Sequence, residues 1–394
     1  MTMATILEVF ERYLGEYLKA NKIRKTEILD SVCELTGFHR KAAVRKFSAL
    51  QFRSVYDSDH RGRPVIYGPD VTAALKDVWQ ASSEICGELI YPVISEYVAV
   101  MKRDGQWHHR PDTTAKLLAM SEGTVKARVS KFMKARHFRH GLSSTSPSLL
   151  KNIIPIVVGE WADKPPGYGQ VDTVVHCGSS LLGDLVFTFN YTDIATLWHG
   201  LASQWNKGQI ATSDSLERIK SRLPFPLKGI HPDTGSEFIN WYLKGLCDQN
   251  KIELTRSRPN HKNDNAYVEQ KNGHVVRRFM GYTRLDTPEV VPLINEMYVI
   301  LETYLNHFVP SRKCLNKVRI GARYKRVYDQ AQTPYQRVLV HPVVTDEIKA
   351  KLKLQHEELN PLLLKQQIDK LIMQIFKIQR ENGNPTQSEK SQLR

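Results

Sequence analysis

Three carboxylates, Asp172, Asp233 and Glu269, stand in local contexts suited to a metal site. Asp172 lies in GQVDTVV, where Val171, Thr173, Val174 and Val175 make a β-branched run that reads as a buried strand. A carboxylate inside such a strand is costly to bury unless it is paired or bound to a cation. Asp233 ends a second expected strand in LKGIHPDTGSEF, and the Asp-Thr-Gly-Ser run reads as a turn that opens a helix. Glu269 lies in NDNAYVEQKNGHVVRRF, where either Asn265 or Asp264 could cap a helix with Glu269 in its first turns. Two strand ends and one helix thus each offer an oxygen ligand. Mg²⁺ is usually held in this way, by a few carboxylates plus water and substrate phosphate. Four nearby acids rank lower: Glu237 reads as a helix N-terminal charge, Asp264 as a cap, Asp193 as the close of a hairpin, and Asp184 carries no pattern.

The stretch HPDTGSEFINWYLKGLCDQNKIELTRSRPNHKNDNAYVEQKN resembles the second half of the catalytic core of DDE integrases and transposases. The pattern sits on Asp233, Gly235, Glu237, Phe238, Ser257, Pro259, Glu269 and Asn272, and 35 residues (234–268) separate the second Asp from the Glu, the spacing of the DD35E subgroup. Upstream, PGYGQVDTVV resembles the family's first-Asp strand and VFTFNYTDIATLW its next two strands. The resemblance spans roughly residues 155–285 and implies a ribonuclease H-like α/β core with a mixed sheet. It also implies that Asp172, Asp233 and Glu269 are both catalytic residues and metal ligands, holding two Mg²⁺ or Mn²⁺ ions about 3.5–4 Å apart. Water would then cleave the DNA strand, and the freed 3′-hydroxyl would attack target DNA. The chain departs from the family at Val276, where relatives often carry a Lys or Arg seven residues after the Glu. It also lacks the His-His-Cys-Cys zinc module of retroviral-type integrases, since His108 and His109 are adjacent with no following Cys pair.

The charge balance agrees with a nucleic-acid partner, which the resemblance implies is double-stranded DNA, though solubility or membrane-surface attraction fits the same charge. Fifty-six Lys and Arg against 41 Asp and Glu leave a formal +15 over 394 residues, a source of salt-dependent, sequence-independent phosphate affinity. Lys271 and Arg277 are read as DNA contacts beside Glu269, Gly273 as a small residue admitting a phosphate backbone, and Arg278 as a solvated helix end. Residues 1–145 read as a helical helix-turn-helix region with two units, about 26–50 and 113–134. In the second, TTAKLLAMSEGTVKARVSKFM, the expected core stripe is Leu117, Leu118, Val125, Val129 and Phe132, with Ser121, Glu122 and Gly123 as the turn. Thr124, Lys126, Arg128 and Lys131 are the expected groove contacts, and the unit resembles the helix-turn-helix of sigma-factor region 4. The first unit pairs a Thr-Gly-Phe turn with a basic helix bearing Arg40, Lys41 and Arg45. Between them, Arg61, Gly62, Arg63 and Pro64 resemble an AT-hook core, though a hinge or wing fits the same residues.

Residues 290–394 read as a basic C-terminal extension. Tyr324, Tyr328 and Tyr335 interleave with Lys and Arg, in a stretch that either tracks phosphate or packs on the core. Two helices break near Pro361; the second carries Leu364, Ile368, Leu371, Ile372 and Ile375 as a stripe for self-association or an internal contact, and the tail after it reads as frayed. Five scattered cysteines with no CxxC pair read as free thiols, and no run of eighteen apolar residues or signal peptide is present, so a cytoplasmic protein with no membrane partner is expected. The expectation is a multidomain α and α/β protein, an insertion-sequence DNA transposase acting as a homo-oligomer on DNA. The alternatives are a sequence-specific DNA-binding regulator with an inactive core and a metal nuclease acting on RNA-containing duplexes.

Overall fold

The computed structural model describes residues 3–52, 66–134, 164–232, 238, 240–257, 268, 271–320 and 323–383. Asp233, Glu237, Asp264, Glu269, the arginines at 61 and 63 and the tail from 384 lie outside them. The chain forms two compact units, Met1–Val65 and Ile66–Arg394.

The first unit holds three helices, α1 (Met3–Lys19), α2 (Lys22–Thr36) and α3 (Arg40–Gln51). Phe10, Ile28, Val32, Ala43 and Phe47 close its core, and Tyr17 stacks on Phe47 at 4.1 Å. The Thr-Gly-Phe segment ends α2 through Gly37 at φ +71°, a left-handed cap in which a side chain would be strained, and the His39 side chain caps α3. Arg40, Lys41 and Arg45 are exposed on α3, with Arg40 paired to Asp30.

The second unit opens with helices α4 (Pro69–Ala81), α5 (Gly87–Ile90), α6 (Ile94–Arg103), α7 (Pro111–Leu118) and α8 (Glu122–Lys134). A five-stranded sheet follows, built from β1 (Tyr168–Val175), β2 (Val186–Asp193), β3 (His199–Trp205), β4 (Gly229–Pro232) and β5 (Glu253–Leu254), with α9 (Gln209–Lys220) and α10 (Trp241–Gln249) between strands. The strand order is β3-β2-β1-β4-β5, the first three antiparallel and the last two pairings parallel. This mixed, helix-covered sheet is compatible with a ribonuclease H-like core. Then come α11 (Val290–Phe308), a two-stranded ribbon of β6 (Cys314–Ile320) and β7 (Arg323–Tyr328), and helices α12 (Pro334–Val340), α13 (Asp346–Glu358) and α14 (Pro361–Asn382).

Period-two burial decides which helix covers which face. Val171, Phe189, Tyr191 and Ala202 face α9 and α10, where Leu216, Ile219, Leu243 and Cys247 are buried. Val174, Val186 and Leu201 point the other way, onto a cluster shared with Tyr298 and Leu301 of α11 and with Ile368, Leu371 and Ile375 of α14. The stripe on α14 is therefore covered within the chain, the internal contact of the two foreseen. Gly169 lets Tyr191 lie across β1, since a Cβ there would run into its ring.

The exposed edge of β3 is sealed by side chains from α11. Asn306 accepts from the His199 N–H at 2.8 Å and donates to its carbonyl at 2.9 Å. Asn295 does the same for Ser203 at 2.8 and 2.9 Å, and Glu302 accepts from the Leu201 N–H at 2.5 Å while Arg222 holds its other side. Positions 295, 302 and 306 recur at helical spacing, so one polar stripe on an otherwise apolar helix satisfies a sheet edge that would otherwise invite another strand.

The helices α4–α8 share a core with the end of α11: Phe308 packs among Val71, Leu75, Tyr97 and Val129. Tyr304 donates from its hydroxyl to the Ala81 carbonyl at 2.8 Å.

Candidate active site

β1 places Gln170, Asp172 and Val174 on the face that meets the segment around Glu269. The Gln170 side-chain oxygen accepts from the Val268 N–H at 3.3 Å, one residue before Glu269. Asp172, half-buried, accepts from Asn272 Nδ2 at 2.6 Å on Oδ2 and from the Thr173 N–H at 2.7 Å on Oδ1. Asn272 stands three residues after Glu269, so residues on both sides of that acid are tied to β1. β4 runs parallel to β1 with Pro232 in register with Val171, and ends one residue before Asp233. Asp172 is therefore the one member of the expected triad among the described residues, and those residues hold no group of three or more His, Cys, Asp or Glu able to bind a metal.

Sequence reasoning missed Gln170 and Asn190. Asn190 faces Asp172 across β1 and β2 and donates to Asn272 Oδ1 at 2.9 Å, which completes a chain Asn190–Asn272–Asp172. Its own Oδ1 is buried without a hydrogen-bond partner, as is Thr192 Oγ1. The readable signal was the alternation in VFTFNYTD, where Thr188, Asn190 and Thr192 interleave with Phe187, Phe189 and Tyr191 in a strand buried at every position. A fully buried strand with one polar face must spend that face on partners.

The described residues fit a hard cation in part. The Asp172 carboxylate offers two oxygens on this face of the sheet, and the orphaned Asn190 oxygen lies on the same face. Oxygen donors of this kind suit Mg²⁺ or Mn²⁺.

Beyond Asn272 the backbone makes a π-helical turn, Asn272–Arg277, continued by Arg278–Met280. Such widened turns are frequent at functional sites. Here the turn buries the consecutive residues Val275 and Val276, which explains the departure at Val276: that position lies in the core under α11, where a charge would be desolvated. Gly273 is exposed with open space around it.

Arg277 and Arg278 of this segment are engaged within the chain. Arg277 donates to the Val175 carbonyl at 2.7 Å and lies 5.0 Å over the Tyr282 ring. Lys271 is half-buried, its ammonium pushed down to about 8 by desolvation and then by the charge of Arg337. Arg278 reaches the Ser83 carbonyl in the turn that follows α4, so it is a part-buried tie and not the solvated helix end expected. Asp193 is a structural acid. It accepts from the Gly167 and Thr196 N–H groups at 2.8 Å each, and burial raises it to about 6.

In the second helix-turn-helix unit Leu117, Val125 and Val129 are buried as expected, whereas Leu118 is 48% exposed. α7 ends at Leu118, and Glu122 and Gly123 already belong to α8 under a Ser121 cap, which moves the turn earlier than expected. Lys126 pairs with Glu88 at 3.3 Å and Glu122 at 3.4 Å. Arg128 bonds Thr72 and donates to the Tyr67 carbonyl at 2.8 Å, bracing α8 on α4. Thr124 is half-buried and bonded to Ser121, and Lys131 is exposed.

All five cysteines are free thiols, and no helix among the described residues is long and apolar enough to cross a membrane. No protein-family model matches the chain. It is 34% identical over 338 residues to the uncharacterized protein y4rM of Sinorhizobium fredii (strain NBRC 101917 / NGR234), an alignment covering 86% of this chain and 96% of that protein. The chain belongs to the same family as y4rM. Among solved structures it is similar to the HTLV-2 integrase catalytic core domain in complex with magnesium, in a dimeric and a trimeric form. Identity is 14% to each, 41% of this chain is covered against 94% and 95% of theirs, and the TM-scores are 0.27 and 0.28, overlaps too loose to carry an argument.

Proposed function

We propose that the chain is a DNA transposase of the DDE type, which cleaves DNA to free a 3′ end and joins that end to target DNA, with Asp172, Asp233 and Glu269 as catalytic carboxylates. One observation carries the reading: the Asp172 carboxylate and its neighbour Gln170 hydrogen-bond residues on either side of Glu269, while β4, paired to β1 beside Asp172, ends one residue before Asp233. Residues next to the two other acids therefore lie beside Asp172 on the sheet, which supports taking the three acids as one site.

The three carboxylates would hold Mg²⁺ or Mn²⁺. When bound, the ions neutralise charge on the scissile phosphate and activate the attacking oxygen. The chain's own part is positioning: Asn272 and the Thr173 N–H fix the Asp172 carboxylate in one orientation, and β1 supplies a rigid base. Lys131 and Thr124 of α8, with Arg40, Lys41 and Arg45 of α3, are the proposed duplex contacts. Arg128, Lys126 and Arg277 are each engaged inside the chain, so any DNA contact they make requires exchange of those partners, and Lys271 is half-buried.

The purified chain should nick and join labelled DNA carrying the ends of the segment that encodes it, in Mg²⁺ or Mn²⁺. Asp172→Asn, Asp233→Asn and Glu269→Gln should each remove both products and leave duplex binding within about twofold. Cleavage surviving in Asp233→Asn would overturn the site. Tight binding without any metal-dependent cleavage would identify a DNA-binding regulator with an inactive core.

A further inference from the structure

Among its described residues the β6–β7 ribbon has no hydrophobic core of its own. Its strands pair with each other, and none of their described residues joins a hydrophobic cluster of the unit. Leu315, Val318, Val327 and Tyr328 are exposed at 61%, 45%, 42% and 43%. A two-stranded ribbon is marginal by itself in water, and exposed apolar side chains rimmed by charge mark an interaction surface.

The root of the ribbon, by contrast, is tightly held. Asp329 accepts from the Lys313 N–H at 2.6 Å and from Arg337 Nη1 at 2.5 Å, and Arg337 Nη2 donates to the Ser311 carbonyl at 2.8 Å. Ser311 and Gln332 exchange backbone hydrogen bonds at 2.9 and 3.2 Å. The ribbon is therefore aimed by the fold.

Charge selects the partner. From Arg312 to Tyr328 the sequence has seven Lys or Arg and no Asp or Glu. Lys325 and Arg326 are exposed and make no ion pair among the described residues. As strand neighbours they point to opposite faces, so the ribbon presents a cation on either side, and the major groove of B-DNA admits a two-stranded ribbon. Place selects the mode. Arg312 lies 3.7 Å from Glu122 in the first turn of α8, and the N-terminal residues of a recognition helix are the ones that meet base edges.

We propose that the β6–β7 ribbon is a DNA-contacting wing for α8, contributed from far downstream in the sequence and binding the phosphate walls of the same duplex. The proposal rests on the reading of α8 as the groove-entering helix.

Its test is the affinity of the full chain for a labelled mixed-sequence duplex, measured by anisotropy across a NaCl series. The double substitution Lys325→Ala, Arg326→Ala should weaken binding and reduce the slope of log K against log salt by about 1.8, two phosphate contacts at about 0.9 each. An unchanged affinity and slope would overturn the wing. So would dissociation of a wild-type oligomer on Leu315→Glu in the absence of DNA, because the exposed face would then be a contact between copies. A chain whose slope depends on the ribbon but which never cleaves DNA would retain the wing and lose the transposase reading.

Discussion

Asp172 has two oxygens, each already accepting one hydrogen bond, and its orientation is set from the segment that carries Glu269. Removing Asn272 should free that carboxylate to rotate. Partners of a metal ligand typically contribute tenfold to a hundredfold in metal affinity, so Asn272→Ala should weaken Mg²⁺ or Mn²⁺ binding by about that range in calorimetric titration of the DNA-free chain. Equal affinity in wild type and variant would show that Asp172 needs no such support, and Asn272→Asp, which replaces a donor by a second negative charge, should behave differently from Ala. The same scale separates working acids from structural ones. Asp193 was ranked low from its hairpin position, and its network of backbone and Thr196 donors shows where its lone pairs go.

At the scale of elements, the least expected feature is the way α11 finishes the sheet. Asn306 is 1% exposed and supplies both hydrogen bonds to the His199 backbone. Truncating it leaves a buried N–H and carbonyl without partners, each costing about 1–3 kcal/mol. Asn306→Ala should therefore lower the unfolding free energy by about 2 kcal/mol or more in urea, and Asn306→Asp should recover the accepting half alone. A loss below about 0.5 kcal/mol would mean that water reaches the strand edge. The π-helical turn belongs to the same scale: it buries Val275 and Val276 together, and so uses as core the position where the resembled family carries a cation.

For the whole second unit, buried histidines and acids set the acid response, with His199 lowered and Glu302 raised by desolvation. Burial holds His176 and His307 down to about 3, against 6.5 when unfolded, and raises Asp193 to about 6 from 3.8. A depressed histidine leaves the unfolded state binding more protons, so its stability contribution is complete above pH 6.5 and is lost as pH falls toward 3. Asp193 has the opposite sign: its raised carboxyl favours folding below pH 3.8 and loses that contribution as pH rises through 6. Between pH 6 and 3.8 the depressed histidines oppose the raised acids Asp193 and Glu302, and each fully depressed histidine contributes a loss of about 1.4 kcal/mol per pH unit on acidification. His176→Gln should cut this slope by one such increment. All six tryptophans follow residue 65, so their fluorescence during urea unfolding between pH 4 and 7 follows this unit, and parallel wild-type and variant profiles would sink the assignment.

The sequence by itself determined the Asp172 strand, the strand that leads to Asp233, the break at Pro361 and the stripe on α14, because each depends on local propensity or on a spacing within one element. Leu117, Val125 and Val129 were legible for the same reason, and Leu118 was misplaced because a helix's last turn can point its side chain either way. What lies across the chain was not legible. No local pattern says that Asn272 meets Asp172, that three polar residues of an apolar helix cap a strand a hundred residues earlier, or that Arg128 and Arg277 spend their guanidinium groups on backbone carbonyls. Those pairings follow from long-range packing, in which a buried donor or acceptor must find whatever partner the fold brings near, and only the tertiary structure decided them.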